Sequence, residues 1–254
     1  LDLEQERGIT IKLQACKMNW KGYELNLIDT PGHVDFSYEV SRSLAACESA
    51  ILLVDASQGI QAQTLSNAKK ALELGLKLIP VLNKIDLPNV DINAREEEMC
   101  NLLGFQKEDI IKVSGKTGEN VPVLLDNIIK ECPPPQGDIE KPLQALIFDS
   151  FYDEHRGVVV AIRIFNGSLS HKHGKGTELF MLQKKESFLP TEIGIFNPDL
   201  EEVENLSCGE VGYISTGLKD IKYFTVGDTI SDKENTKPLP GYKTPKANVF
   251  ATFF

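Results

Sequence analysis

The feature that most constrains this 254-residue chain is a pair of apolar stretches, Ala50 to Val54 and Lys77 to Leu82, with room for a helix between them. A strand with one wet face alternates apolar and polar residues. A strand covered on both faces of a parallel sheet does not need to. Both stretches are therefore expected to be buried on both faces. The same rhythm surrounds them. Residues 9–18 and 24–29 read as strands joined by a tight turn at Lys21 and Gly22, followed by a helix over about 33–48. A helix over about 61–74 stops at Gly75, where glycine suits a C-terminal cap. A third, over 92–103, precedes Gly104, and a short strand covers Ile110 to Val113. Val121, Leu124, Leu125, Ile128 and Ile129 then give the i, i+3, i+4, i+7, i+8 stripe of an amphipathic helix. Repeated strand–helix units predict an α/β domain: a mostly parallel sheet with helices on both faces.

Pro133, Pro134 and Pro135 end this rhythm, because consecutive prolines forbid helix and favour stiff, extended chain. The α/β domain is placed over 1–132 and a proline-rich linker over 133–141. Beyond it, Leu143 to Phe148 and Val158 to Phe165 are β-rich, and Asn166-Gly167 between two such runs is the strongest short hairpin signal. Further strands are expected over Thr177 to Leu182, Phe188 to Phe196, Glu210 to Ser215 and Thr229 to Ile230. Short strands, glycine turns and no helical stripe predict a small all-β barrel over 142–236. Residues 237–254 read as a second linker and the start of a third domain.

Composition narrows the function classes. The net charge is −10, and a dedicated nucleic-acid binder usually carries a basic patch or stripe, so any RNA partner must be met by local basic spots. No apolar run approaches the ~20 residues that span a bilayer. The five cysteines, Cys16, Cys47, Cys100, Cys132 and Cys208, are scattered and odd in number, which favours a reducing compartment over a disulfide framework.

Chemistry concentrates at predicted strand ends. Asp29-Thr30-Pro31-Gly32-His33 begins at the carboxyl end of a strand, where open α/β sheets bind ligands. A carboxylate there can hold Mg²⁺ through water. Gly32 lets the backbone approach a phosphate, and an imidazole at His33 can orient an attacking water. Alone, this D-x-x-G pattern is common and also fits an ordinary helix start. Asn83-Lys84-Ile85-Asp86 follows the second apolar run. An aspartate at position 86 can accept from N1–H and the exocyclic amine of guanine, a donor pair that adenine lacks. Asn83 would bond across the pocket, and the stem of Lys84 could pack on the base. Taken singly, a strand-to-turn junction explains the segment equally well. Ser114-Gly115-Lys116 follows a third strand, where its backbone N–H groups can meet the guanine carbonyl; a plain turn competes. Arg7-Gly8-Ile9-Thr10 supplies a hydroxyl at Thr10 that can ligate Mg²⁺ when a γ-phosphate is present. Together and in this order, the segments describe a pocket for GTP and Mg²⁺. No G-x-x-x-x-G-K-[ST] phosphate loop occurs in the chain, so it is expected to begin partway through such a domain and, by itself, to bind GTP weakly or not at all and to be inactive as a GTPase.

Other features read as structure. His171 and His173 fit a solvated hairpin end better than a metal site. Arg95 to Glu98 reads as the wet face of a helix. Trp20 and the later phenylalanines read as core.

The pocket segments resemble those of translational GTPases, for which Arg-Gly-Ile-Thr and a histidine after Asp-Thr-Pro-Gly are characteristic. Leu146 to Asp153, Arg156 to Val160, Gly209 to Ile214, Gly217 to Asp220, Val226 to Thr229 and Pro238 to Tyr242 resemble the LepA family, also called elongation factor 4. The likeness covers essentially the whole chain, and the β-half strings are its more specific part. It implies a P-loop-type GTPase domain, N-terminally truncated here, followed by a β-barrel. It also implies a ribosome-dependent GTPase that promotes back-translocation of tRNAs and translational fidelity. The alternatives are an elongation factor G-type translocase and a ribosome-assembly GTPase. By motif, Thr10 and Asp29 would serve Mg²⁺, Gly32 the γ-phosphate and His33 the water. Thr30 and Pro31 would complete the phosphate-side segment. Asn83, Lys84, Asp86, Ser114, Gly115 and Lys116 would hold the guanosine. The implied partners are ribosomal RNA and proteins and ribosome-bound tRNA, in the cytoplasm or an organelle, with peripheral contact to the cytoplasmic membrane face in some members and no oligomer. Gly115 stands where alanine is common, and His171 to Gly176 departs from the family's usual turn.

Overall fold

The computed structural model describes residues 13–31, 37–172 and 175–240. They fall into two compact units, one running to Gln136, the other beginning at Gly137, with residues 196–199 assigned to the first.

The first unit opens with an antiparallel pair, β1 (Gln14–Trp20) and β2 (Tyr23–Asp29). Its two-residue turn puts Lys21 at φ 49° and Gly22 at φ 84°, the positive values that match the twist of a tight hairpin. Trp20 is half-buried rather than core: its Nε1–H donates to Asp126 at 2.8 Å. Helix α1 (Ser37–Leu44) ends four residues before the expected position, as the chain turns out through Ala46 N–H to Ser43 O. Then follow β3 (Ser49–Asp55), α2 (Ala62–Glu73), β4 (Lys77–Asn83), α3 (Ile92–Leu103), β5 (Ile111–Lys112) and α4 (Val121–Glu131). The strands form a parallel sheet, β3-β4-β5, with β4 in the middle. Helices cover both faces of β4. Leu78 and Leu82 meet α2 and α3 through Ala68, Ala71 and Met99, while Ile79 and Val81 meet Ile128 of α4.

The expectation for β3 needs correction. Leu52 and Val54 are buried, but Ile51 is 38% and Leu53 55% exposed. They share the face of Ile79 and Val81, their register partners, where the buried cluster with Ile128 of α4 takes in Ile79 and Val81 of β4 and no residue of β3. The acidic stretch is also not a wet face: Glu96 is 1% exposed, and Arg95 and Glu98 pair with each other at 2.8 Å. Asp91 caps α3 by accepting from Ala94 N–H at 3.0 Å, and Gly104 closes it at φ 75°.

The second unit contains β6 (Gln144–Asp153), β7 (Gly157–Asn166), β8 (Ser168–Lys172), β9 (Lys175–Gly176), β10 (Leu179–Met181) and β11 (Glu186–Phe188). It continues with β12 (Glu192–Asn197) and β13 (Asp199–Glu202), apart from their residues 196, 197 and 199, and with β14 (Asn205–Ser207), β15 (Val211–Ser215) and β16 (Thr229–Ser231). An eight-stranded sheet runs β11-β10-β16-β6-β7-β15-β12-β13, and a three-stranded one β14-β8-β9. Both sheets contribute to one apolar core, with Ile147, Val160, Ile162, Met181 and Ile193 from the larger and Leu169 and Leu206 from the smaller. This is a small β-barrel.

Asn166-Gly167 is not a hairpin turn. The strands it joins, β7 and β8, do not pair; the bend carries the chain from one sheet to the other. Asn166 Oδ1 accepts from Asp138 N–H at 3.0 Å, and Gly167 N–H donates to Asp138 O at 2.9 Å. His171 is 4% exposed, so that part of the expected solvated end is an interior position; His173 lies outside the described residues. All five cysteines are free thiols. Among the described residues, no helix is long and apolar enough to cross a membrane.

Candidate functional site

Because β3, β4 and β5 are parallel and adjacent, their carboxyl ends deliver Asp55, Asn83 and the loop after Lys112 to one edge of the sheet. Asp55 and Asn83 are register partners, and Ala56 N–H donates to Asn83 O at 2.9 Å.

Asn83 ties two of these loops together. Its Oδ1 accepts from Lys84 N–H at 2.8 Å and from Gly115 N–H at 3.0 Å. A second tie runs from Ser114 Oγ–H to Asp86 Oδ1 at 2.7 Å. Ser114 is fully buried and its Oγ also accepts from Thr117 N–H at 3.1 Å, so hydroxyl and carboxylate are held in one orientation. No hydrogen bond engages the other oxygen of Asp86 among the described residues. The result is a carboxylate acceptor fixed beside a loop of exposed backbone at Gly115 and Lys116. Such a pair suits a ring that offers two adjacent N–H donors and one carbonyl. An alanine methyl at 115 would meet Asn83 Oδ1 at 3.6 Å, an ordinary contact, so glycine is not required there.

Lys84 has φ 68°, a left-handed backbone that costs of order 1–2 kcal/mol for a residue with a Cβ. It persists because both ends are held: the N–H by Asn83, and Nζ by Asp55 Oδ2 at 2.6 Å. Asp55 Oδ1 also accepts from Ser57 N–H at 2.8 Å and Ser57 Oγ–H at 2.6 Å. Burial pushes the Asp55 carboxyl up, but the bonds from Lys84 and Ser57 outweigh it and hold the group below the usual carboxylate range. The sequence reading missed Asp55. The available signal was its place at the carboxyl end of an apolar strand, the same position that singled out Asp29 and Asn83.

On the phosphate side, Asp29 is the last residue of β2 and is exposed, Thr30 is half-buried and Pro31 buried. Thr10, Gly32 and His33 lie outside the described residues. Among the described residues there is no group of three or more His, Cys, Asp or Glu able to hold a metal. An exposed single carboxylate at a strand end still fits Mg²⁺, which keeps several waters and takes one or two carboxylates plus substrate phosphates.

A parallel α/β unit whose strand-end loops read Asn-Lys-Ile-Asp and Ser-Gly-Lys defines a guanine-nucleotide-binding domain. Residues 1–134 match the family described as "Elongation factor Tu GTP binding domain", and the chain belongs to that family. The relatives it matches include elongation factor 4 of Bifidobacterium longum subsp. infantis, 50% identical over 260 residues, spanning 100% of this chain and 41% of that protein. Elongation factor 4 of Prochlorococcus marinus (strain MIT 9215) is 49% identical over 261 residues, spanning 100% of this chain and 43% of the relative. The chain thus spans less than half the length of these curated relatives. Among solved structures, bacterial selenocysteine-specific elongation factor EF-Sec matches with TM-score 0.72 at 25% identity, over 91% of this chain and 40% of that one.

Proposed function

We propose that this chain forms the guanine-reading half of a GTPase pocket, with its adjoining β-barrel, in a ribosome-dependent translational GTPase of the elongation factor 4 type. The observation that carries the reading is the pair of cross-loop ties, Asn83 to Gly115 and Ser114 to Asp86, which holds a carboxylate and the exposed loop at Gly115 and Lys116 together at one sheet edge.

The reaction is GTP + H₂O → GDP + phosphate. Asp86 accepts from N1–H and the exocyclic amine of guanine; an adenine there would leave the carboxylate facing an acceptor. The stem of Lys84 covers one face of the base, and the Lys116 N–H meets the guanine carbonyl, the N–H groups of Ser114 and Gly115 being given to Glu119 O and Asn83 Oδ1. Asp29 and Thr10 would hold Mg²⁺, which would neutralise charge on the phosphates. Gly32 donates its N–H to the γ-phosphate, and His33 orients the attacking water. The work done is promotion of tRNA back-translocation and of translational fidelity on the ribosome. The partners are ribosomal RNA, ribosomal proteins and tRNA in the cytoplasm, with peripheral contact to the membrane face.

The test uses a protein that carries this sequence together with a phosphate-binding loop. GTP hydrolysis is measured with and without ribosomes, and tRNA movement is scored forward against backward. Strong ribosome stimulation with backward movement supports the proposal; forward movement would assign a translocase. Tight GTP binding without stimulation would remove the ribosome as trigger. His33→Ala should leave GTP binding nearly intact and abolish most stimulated hydrolysis.

A further inference from the structure

The Lys84 side chain is tethered from outside residues 83–86 and 114–116. Its ammonium is 2.6 Å from Asp55 Oδ2, a salt bridge with the lysine side chain 51% exposed and the aspartate 20%. Asp55 is itself braced. Its backbone O accepts from Gln58 N–H at 3.1 Å and Gly59 N–H at 2.8 Å, closing a tight loop after β3. Helix α3 clamps that loop: Arg95 Nε–H donates to Ala56 O at 3.2 Å, and Ile60 N–H donates to Glu98 Oε1 at 3.1 Å. Gly59 sits at φ 75° so close under this pair that a Cβ would lie 2.5 Å from the Arg95 guanidinium and 2.6 Å from the Glu98 carboxylate. The rigidity of α3 is thus passed through residues 55–60 to one carboxylate, and from it to the lysine.

A free lysine side chain loses rotamer freedom when it settles on a ligand. Here the two ends of Lys84 are fixed before any ligand arrives, the main chain by Asn83 and the ammonium by Asp55. We propose that Asp55 is a positioning residue for guanine recognition, holding the ammonium of Lys84 so that its four-carbon stem is preset over the face of the base. This rests on the reading of residues 83–86 and 114–116 as the guanine pocket. Arg95 and Glu98 serve the same end at one remove.

The test is a titration with guanosine, which engages base contacts alone, of the ¹⁵N-labelled protein that carries this sequence together with a phosphate-binding loop. In the wild type, guanosine should shift the amides of residues 83–86 and 114–116; if none shift, the pocket reading fails and the inference falls with it. Asp55→Asn should weaken guanosine roughly three- to tenfold, the cost of ordering one rotamer-rich side chain. Lys84→Ala should show a comparable loss, and the double variant should be no weaker than Lys84→Ala. Asp55→Glu, which keeps a carboxylate, should recover at least half of the loss. The Lys84 ammonium ¹⁵N signal, sheltered from exchange by the ion pair, should fade in Asp55→Asn and persist in Asp55→Glu. Wild-type affinity in Asp55→Asn, or fully additive losses in the double variant, would overturn the inference while leaving the pocket intact.

Discussion

Glu96→Gln isolates a buried charge cluster behind the loop that carries Ser114. Glu96 lies on α3 at 1% exposure, with Oε1 2.6 Å from Lys112 Nζ and Oε2 3.0 Å from Lys107 Nζ. Lys112 is the last residue of β5, two before Ser114, and its O accepts from Asn120 Nδ2–H at 2.9 Å. The cluster therefore anchors the strand that presents Ser114 to Asp86. Burial pushes the Glu96 carboxyl up, but hydrogen bonds from Lys112 and Lys107 outweigh it and hold it below its ordinary value. Glutamine keeps the volume and one acceptor, so no cavity forms. One lysine then keeps a neutral acceptor, about 0.5–1.5 kcal/mol against about 1.5–3 kcal/mol for the charge-assisted bond, and the other faces the amide NH2 and loses its bond to Glu96. The Lys112 side chain is 42% exposed, so solvent screening discounts that figure. The expected loss is about 1–2 kcal/mol, or about 3–10 °C in the melting temperature of the first unit. The pH dependence has a definite sign. A carboxyl whose folded pKa lies below its unfolded one stabilises above the unfolded value, about 4.3, and loses that stabilisation as pH falls through the folded one. Urea midpoints of wild type and Glu96→Gln, measured from pH 7 down to about 3.5, should therefore converge at the acid end. Equal midpoints at pH 7 would refute the reasoning, as would a gap that does not narrow in acid.

Four further perturbations test the site and the barrel. Asp86→Asn swaps an acceptor for a donor where guanine offers N–H groups, so guanosine binding should fall at least ~100-fold while xanthosine gains; parallel titrations check it, and retained guanosine preference would remove Asp86 from base reading. Asn83→Ala leaves the Lys84 and Gly115 N–H groups without their acceptor and should cost about 1–2 kcal/mol, read by denaturant unfolding of the first unit. Ser114→Ala removes the hydroxyl that orients Asp86 and should weaken guanosine by about tenfold, since a hydrogen bond to a charged group is worth about 1.5–3 kcal/mol. Gly167→Ala places a Cβ 2.7 Å from Lys141 O and 2.8 Å from Leu143 Cα at φ 73°, so the barrel should lose more than about 2 kcal/mol with the first unit's transition unmoved.

What could be read from the chain was whatever local periodicity decides. Lys21-Gly22 names its turn because two positive φ angles in succession admit few residues. The bounds of α3 follow from Asp91 and Gly104, a side-chain cap and a left-handed stop. The readings that failed all depended on what lies opposite. An apolar run says that β3 tolerates burial, but only what packs on each face decides that Leu52 and Val54 are covered and Leu53 stays exposed. Three consecutive glutamates look wet until Lys107, from a short 3-10 turn, and Lys112, from β5, pair with Glu96 and offset the cost of its interior position. Asn166-Gly167 has the chemistry of a hairpin turn, yet Asp138 takes up its hydrogen bonds from a distant segment and turns it into a crossing between sheets. The same division runs through the site. Asn83, Asp86 and Ser114 could be picked out singly because their order along the chain is informative, but their mutual bonds span 28 to 32 residues and needed the parallel register of β4 and β5. Asp55 carried no motif at all. Its role emerges only when β3 sets it level with Asn83 and the left-handed turn at Lys84 sends an ammonium toward it. Residues that touch a ligand can be confined to short motifs. Those that hold them in place are chosen by the sheet, and a sheet has no local signature.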